Sequence, residues 1–154
     1  MAVYQASVEI PRPQAEVFEY LRRPANLLKL IEIDPTRVKV NVPEIATPGS
    51  LMEFQIHVFG MKFDLVHEIV TVTEYDLIVE RQKSGAFRSW VHEHRLTPSA
   101  DGGTVLTNTI RFEPPGGMLG FMATEKRIME QLEIWLPHGH QKIRSDLSRP
   151  SETA

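Results

Sequence analysis

Two imidazoles stand two residues apart, at His92 and His94. On a β-strand that spacing puts both on one face. Phe87 to Thr97 reads as such a strand, with Trp90, His92, His94 and Leu96 on one side and Val91, Glu93 and Arg95 on the other. The Trp and Leu mark the first face as inward. On the next strand, Thr104 to Glu113, the more apolar row is Leu106, Asn108, Ile110 and Phe112. Asn108 therefore joins the histidines inside. Polar side chains in an apolar interior need partners. They can form a structural hydrogen-bond network, or they can anchor the head group of a ligand in a mostly apolar pocket. A His-x-His pair on a strand is also a spacing that metal sites use, with Glu80 or His67 as a third ligand. No His-Glu-x-x-His and no Cys pair accompanies it, and no metal is assigned.

Other chemistries are excluded by what the 154 residues lack. With no Cys there are no disulfides, thiolate metal sites or Cys nucleophiles. There is no Gly-x-Ser-x-Gly, no phosphate-binding loop and no dinucleotide fingerprint. A net charge of −3 with dispersed Lys and Arg argues against nucleic acid as a partner. The composition is 42% hydrophobic and 24% charged, that of a folded globular chain. A chain of this mass buries about 69% of its surface, enough for one core without staples. No apolar run approaches the roughly 18 residues of a membrane helix. Glu9 and Pro11 interrupt the N-terminal apolar stretch, so no signal peptide is read and the expected compartment is cytoplasmic.

The elements that must position these residues follow from periodicity. Val3 to Ile10 reads as a strand ended by Pro11-Arg12-Pro13. Pro13 suits a helix start, and Val17, Phe18 and Leu21 recur at helical spacing until Pro24. Ala25 to Glu32 reads as a second short helix. Arg37 to Val42 alternates cleanly as a strand. Leu51 to Phe59, Lys62 to Tyr75, Leu77 to Lys83, Phe87 to Thr97 and Thr104 to Glu113 are five more, joined by links short enough for antiparallel neighbours. Pro114 to Gly117 stops the sheet, and Gly116-Gly117 is either a plain turn or a hinge. Met118, Phe121, Met122, Ile128, Met129, Leu132, Trp135 and Leu136 then recur as one long amphipathic helix. Its methionines are either core gap-fillers or an adaptable pocket wall. Pro137 and Gly139 predict a kink or break, with the helix resuming through Ile143 and Leu147 and with His138 and His140 solvated at the break. Residues 1–147 read as one domain and 148–154 as a flexible tail.

This layout resembles the START/Bet v1-like (SRPBCC) superfamily, in its branch of polyketide cyclase/dehydrase-like bacterial ligand-binding proteins. The resemblance rests on Ala15-Glu16-Val17-Phe18-Glu19-Tyr20-Leu21 followed by Pro24-Ala25-Asn26-Leu27, on Gly85 to Leu96, and on Phe112-Glu113-Pro114-Pro115-Gly116-Gly117. It implies an α+β helix-grip fold, in which a curved antiparallel sheet of about seven strands wraps around the long C-terminal helix, with two short N-terminal helices.

The resemblance also implies that Ile78, Glu80 and Gln82 face inward. Expected ligand contacts are then Glu80, Gln82, Trp90, His92, His94 and Asn108 from the sheet, and Phe121, Met122, Met129 and Trp135 from the helix. The implied partner is a small hydrophobic or amphipathic molecule (a lipid, a polyketide-like aromatic or an isoprenoid), with no membrane insertion, no resident cofactor and a homodimer allowed. A second reading is enzymatic. A carboxylate beside a His in a dry pocket can hold the ring and tune it for proton transfer. Glu80 with His92 or His94 would serve cyclisation, dehydration or isomerisation of a carbonyl substrate. A third reading is an interaction protein whose chamber is filled by its own core; the volume of the chamber separates it from the others.

Overall fold

The computed structural model describes residues 1–33 and 36–148. Seven strands form one antiparallel sheet in the order β1-β7-β6-β5-β4-β3-β2. They are β1 (Ala2–Ile10), β2 (Val40–Asn41), β3 (Leu51–Val58), β4 (Met61–Thr73), β5 (Leu77–Ser84), β6 (Ser89–Pro98) and β7 (Thr104–Glu113). From β2 to β7 the chain is a meander of neighbours. β1 then closes the far edge against β7 over its whole length, from Ala2↔Phe112 to Ile10↔Thr104. Helices α1 (Gln14–Leu21) and α2 (Pro24–Leu27) follow β1, and a 3₁₀ turn (Leu28–Ile31) extends α2. After the sheet come a four-residue α3 (Leu119–Met122) and the 24-residue α4 (Glu125–Ser148). This is the α+β helix-grip architecture.

The core lies between the concave face of the sheet and α4. Leu106, Ile110 and Phe112 from β7, Ile69 from β4 and Ile78 from β5 meet Leu132, Leu136 and Ile143 from the helix, all nearly fully buried. The long strand β4 shifts register between Val66 and His67 and again between Ile69 and Thr71. Bulges of this kind bend a strand and increase its twist.

Local elements differ from the sequence expectation in four places, each with a physical cause. The strand expected over Arg37 to Val42 shrinks to Val40–Asn41, because as the edge strand it finds ladder partners only at Phe54 and Glu53. The second helix tightens into a 3₁₀ turn and stops at Glu32, which takes a left-handed conformation (φ 58°). The long helix does not begin at Met118. Thr124 Oγ1 accepts from the Arg127 amide at 3.3 Å, and this cap starts α4 afresh at Glu125. Lastly, α4 runs unbroken through Pro137. A helix-interior proline costs about 3 kcal/mol. Here Leu136, Gly139, His140 and Ile143 are all buried around it, and that packing outweighs the loss. Ser148 belongs to α4, and the rest of the expected tail, 149–154, lies outside the described residues.

Gly139 is where α4 meets the 3₁₀ turn backbone to backbone. A Cβ there would sit 2.7 Å from both the Lys29 carbonyl oxygen and the Leu30 Cα. Alanine is the better helix former by about 1 kcal/mol, yet Gly139→Ala should destabilise the protein, because backbone rather than a flexible side chain must move. Thermal melts of the variant check this; a raised Tm would mean that the helix stands off the turn in solution.

Candidate functional site

Alternation on β4, β5, β6 and β7 brings the polar residues of four strands to the concave face. Glu80 is directly opposite His92 and next to Ile69, while His94 pairs with Asn108. Glu80, His67, His92, His94 and Asn108 are each at most 2% exposed. Residue His140, from α4, reaches them across the core. Six buried polar side chains thus meet under one helix.

Their hydrogen bonds form one connected chain. His67 Nδ1 lies 3.0 Å from Glu80 Oε1, and His94 Nε2 lies 3.2 Å from Glu80 Oε2. An ionised carboxylate only accepts, so both rings donate to it. This leaves His94 Nδ1 as an acceptor, and it takes one Asn108 Nδ2 hydrogen at 2.8 Å. The second Nδ2 hydrogen goes to His92 Nε2 at 2.9 Å. Asn108 Oδ1 then accepts from His140 Nε2 at 2.7 Å. The carboxylate thereby fixes the tautomer of His94, and Asn108 passes that choice on to His92 and His140. The His92 and His94 rings stack with their centroids 3.9 Å apart.

Charge follows the same geometry. Burial pushes the Glu80 carboxyl upward, but the hydrogen bonds from His67 and His94 outweigh it and hold the group well below the usual carboxylate range. Burial, and after it the neighbouring His94, holds His92 well below the usual histidine range. The same two causes lower His140 to about 4. At neutral pH the network holds one carboxylate, and its His92 and His140 rings resist charging.

Glu80, His92 and His94 are also the trio that could share a metal ion, each offering a ligand atom within 4.8 Å of the others. An ion there would displace the hydrogen bonds to Glu80 and Asn108 that now hold those side chains in place.

Beside the network lies a small cavity of about 30 Å³ between the sheet and α4. That is room for about two waters. Of the network's residues, only His67 borders it. Trp90 and Trp135, the two tryptophans of the chain, face it from sheet and helix, and Leu65, Phe87 and Leu132 complete much of its apolar wall. Trp90 is 5% exposed, and its indole N–H finds no hydrogen-bond partner among the described residues. A second, more polar pocket of about 180 Å³ adjoins the first, sharing Ile31, Ile56 and Trp135 with it. Glu32, Arg37 and His57 are part of its wall.

The expected contacts therefore divide. Trp90 and Trp135 line the cavity, whereas Glu80, His92, His94 and Asn108 stand behind it in the network. Gln82 is not in the chamber. Its amide clasps the backbone of Phe87, donating to the carbonyl at 2.8 Å and accepting from the N–H at 3.2 Å, and so ties the β5–β6 hairpin. Phe121 is 83% exposed and Met122 is exposed too, because the new helix start at Glu125 turns α3 away from the core. Met129 is half-buried and packs on the core without bordering the cavity. His138 is exposed beside Glu32, as expected of a solvated site, but His140 is buried, because the helix does not break. Continuing the spacing of Leu132 and Leu136 through Pro137 would have found it.

The model of a family described as polyketide cyclase / dehydrase and lipid transport matches residues 1–132. The chain belongs to this family. Among solved structures, this family member is similar to TTHA0849 from Thermus thermophilus, with a TM-score of 0.70, 15% identity, and 95% of this chain and 96% of that one covered. It is similar to Ara h 8.0201, with a TM-score of 0.67, 14% identity, and 95% and 97% covered. A START superfamily protein from Mycobacterium smegmatis aligns with a TM-score of 0.66, 10% identity, and 94% and 96% covered. At these identities the likeness carries the fold alone, that of the START/Bet v1-like superfamily. No curated protein matches this family member in sequence. No helix among its described residues is long and apolar enough to cross a membrane.

Proposed function

We propose that the protein binds a small hydrophobic or amphipathic molecule, of the lipid, polyketide-like or isoprenoid kind, between the sheet and α4. The observation that carries this reading is an apolar cavity walled by both tryptophans, one of which, Trp90, holds a buried N–H without a partner. A buried donor without a partner costs about 1–3 kcal/mol, and a carbonyl, hydroxyl or carboxylate oxygen on a bound molecule removes that cost. The family's description as cyclase, dehydrase and lipid-transport proteins supports the same ligand class. The cavity is smaller than such a molecule, so binding requires movement. Trp135 partitions the cavity from the larger pocket beside it. Displacing its ring joins the two into a slot with an apolar inner end and a polar outer rim.

Both tryptophans border the cavity, so intrinsic fluorescence reports on its filling. Titration with lauric acid should quench or shift the emission saturably. Native mass spectrometry of freshly purified protein should show added mass that disappears on denaturation. A flat titration together with a clean mass would favour a chamber closed by its own side chains. Trp90→Phe removes the donor and keeps an aromatic ring in the cavity wall. The variant should bind lauric acid about five-fold more weakly by calorimetry, the equivalent of about 1 kcal/mol for one hydrogen bond. Unchanged affinity would place the head group elsewhere.

A further inference from the structure

We infer that His67, held by Glu80, is a general acid–base group acting on apolar carbonyl compounds in this cavity. The inference rests on the ligand-binding reading above and deepens it. Sequence spacing pointed to His92 and His94 as partners of Glu80, but neither borders the cavity. His67 does. Its Nδ1 is committed to the Glu80 carboxylate at 3.0 Å. Its Nε2, on the opposite edge of the ring, has no partner among the described residues. An imidazole whose Nδ1–H is held by a buried carboxylate presents Nε2 as a base, and the carboxylate stabilises the imidazolium that forms. Here the carboxylate is itself held by His94, and His94 by Asn108. The ring's orientation is thus fixed from behind by two further side chains. Phe54 fixes it from the side, edge to face at 4.9 Å between ring centres.

The second element is Trp90. Its ring centre lies 6.5 Å from that of His67, in the wall of the same cavity, and its N–H lacks an acceptor. With the cavity opened by ligand entry, a carbonyl oxygen that accepts this N–H would set its α-carbon toward His67. The pairing of a donor for the oxygen with a base for the adjacent carbon is what enolisation needs. His67 Nε2 removes an α-proton. The C–H electron pair becomes the new C=C bond, and the C=O π pair moves onto oxygen, where the Trp90 N–H holds it. The imidazolium then either trades its proton with solvent and delivers a solvent-derived one to the same carbon, which is exchange, or delivers its proton to the γ-carbon of a β,γ-unsaturated ketone, which moves the double bond. No oxidant, reductant or co-reactant is consumed. The substrate class is an apolar ketone with acidic α-hydrogens. Glu80 is a positioning residue, because it acts through His67.

Cyclohexanone in D₂O provides the probe. Loss of its α-proton signals by NMR measures exchange, and tryptophan emission measures binding in the same samples. The wild-type protein should exchange the α-protons about 10²-fold or more faster than free imidazole at equal concentration. His67→Gln should bring the rate to that background while cyclohexanone still changes the emission. Glu80→Gln should lower the saturated rate about ten-fold or more and leave half-saturation unchanged, a split that a merely structural role would not give. Saturable binding by the wild type with exchange no faster than imidazole would overturn this inference and leave the binding reading standing. A wild-type rate in folded His67→Gln would overturn it as well. No emission change and no exchange would overturn both readings for ketones. The comparison of wild type with imidazole needs no variant, so misfolding of His67→Gln does not remove the test.

Discussion

Glu80→Ala should lower the free energy of unfolding at pH 7 by about 2–6 kcal/mol, because each buried donor left without an acceptor costs about 1–3 kcal/mol. Single domains of this size have about 5–15 kcal/mol in total, so the variant should be partly unfolded at modest urea concentrations. Removing the carboxylate leaves two imidazole N–H groups, from His67 and His94, facing an apolar void. Both side chains are at most 2% exposed, so neither turns out to bulk water. The loss then spreads, since His94 orients Asn108, and Asn108 holds His92 and His140. Glu80→Gln should cost less. Its amide still accepts from one ring, and it can donate to the other once that ring switches tautomer. Urea titrations followed by tryptophan emission measure both variants. A loss below about 1 kcal/mol for Glu80→Ala would mean that water replaces the carboxylate and that the network is not closed.

The parts of this network differ in how well the sequence revealed them. Parity alone assigned the faces of β6 and β7, because both strands are regular and Trp90, Leu96, Ile110 and Phe112 mark their inner side. Glu80 needed the family resemblance. Its strand reads Leu-Ile-Val-Glu-Arg-Gln, and the apolar residues fall on both parities. His67 carried a signal in Leu65-x-His67-x-Ile69, all three of which are buried. The register shifts between Val66 and His67 and between Ile69 and Thr71 make parity along the full strand unreliable. The inward turn of His140 was hidden by a local rule that tertiary packing overrode. Pro137 and Gly139 both weaken an isolated helix, but Gly139 is required for the contact with Lys29 and Leu30. The exposure of Phe121 has the opposite origin. The apolar spacing from Met118 onward was real, but the Thr124 cap reset the helix and turned the first apolar residues outward. Spacing cannot show a break that depends on one side-chain hydrogen bond.

Acid should unfold this protein early, with His140 alone lowering stability by about 2 kcal/mol between pH 7 and pH 5 and His92 adding to the loss. In the unfolded chain, His92 and His140 take up protons as pH falls through about 6.5. In the folded chain, burial first and His94 second keep both neutral, His140 down to about 4. Below pH 6.5 the unfolded state therefore binds more protons than the folded state. Stability is then greatest above that pH and declines as pH drops. Glu80 acts in the same direction but lower in pH. Its folded carboxyl titrates below the unfolded value of 4.5, so its contribution is present above pH 4.5 and is lost as pH falls further. The first losses thus belong to the histidines and the later ones to the carboxylate. His140→Gln separates them. Glutamine can still donate to Asn108 Oδ1 but takes up no proton on unfolding, so the slope of unfolding free energy against pH between 6 and 5 should fall by about one proton. Parallel slopes for variant and wild type would mean that His140 is protonated equally in both states, and that its link from α4 to Asn108 opens below pH 6.5.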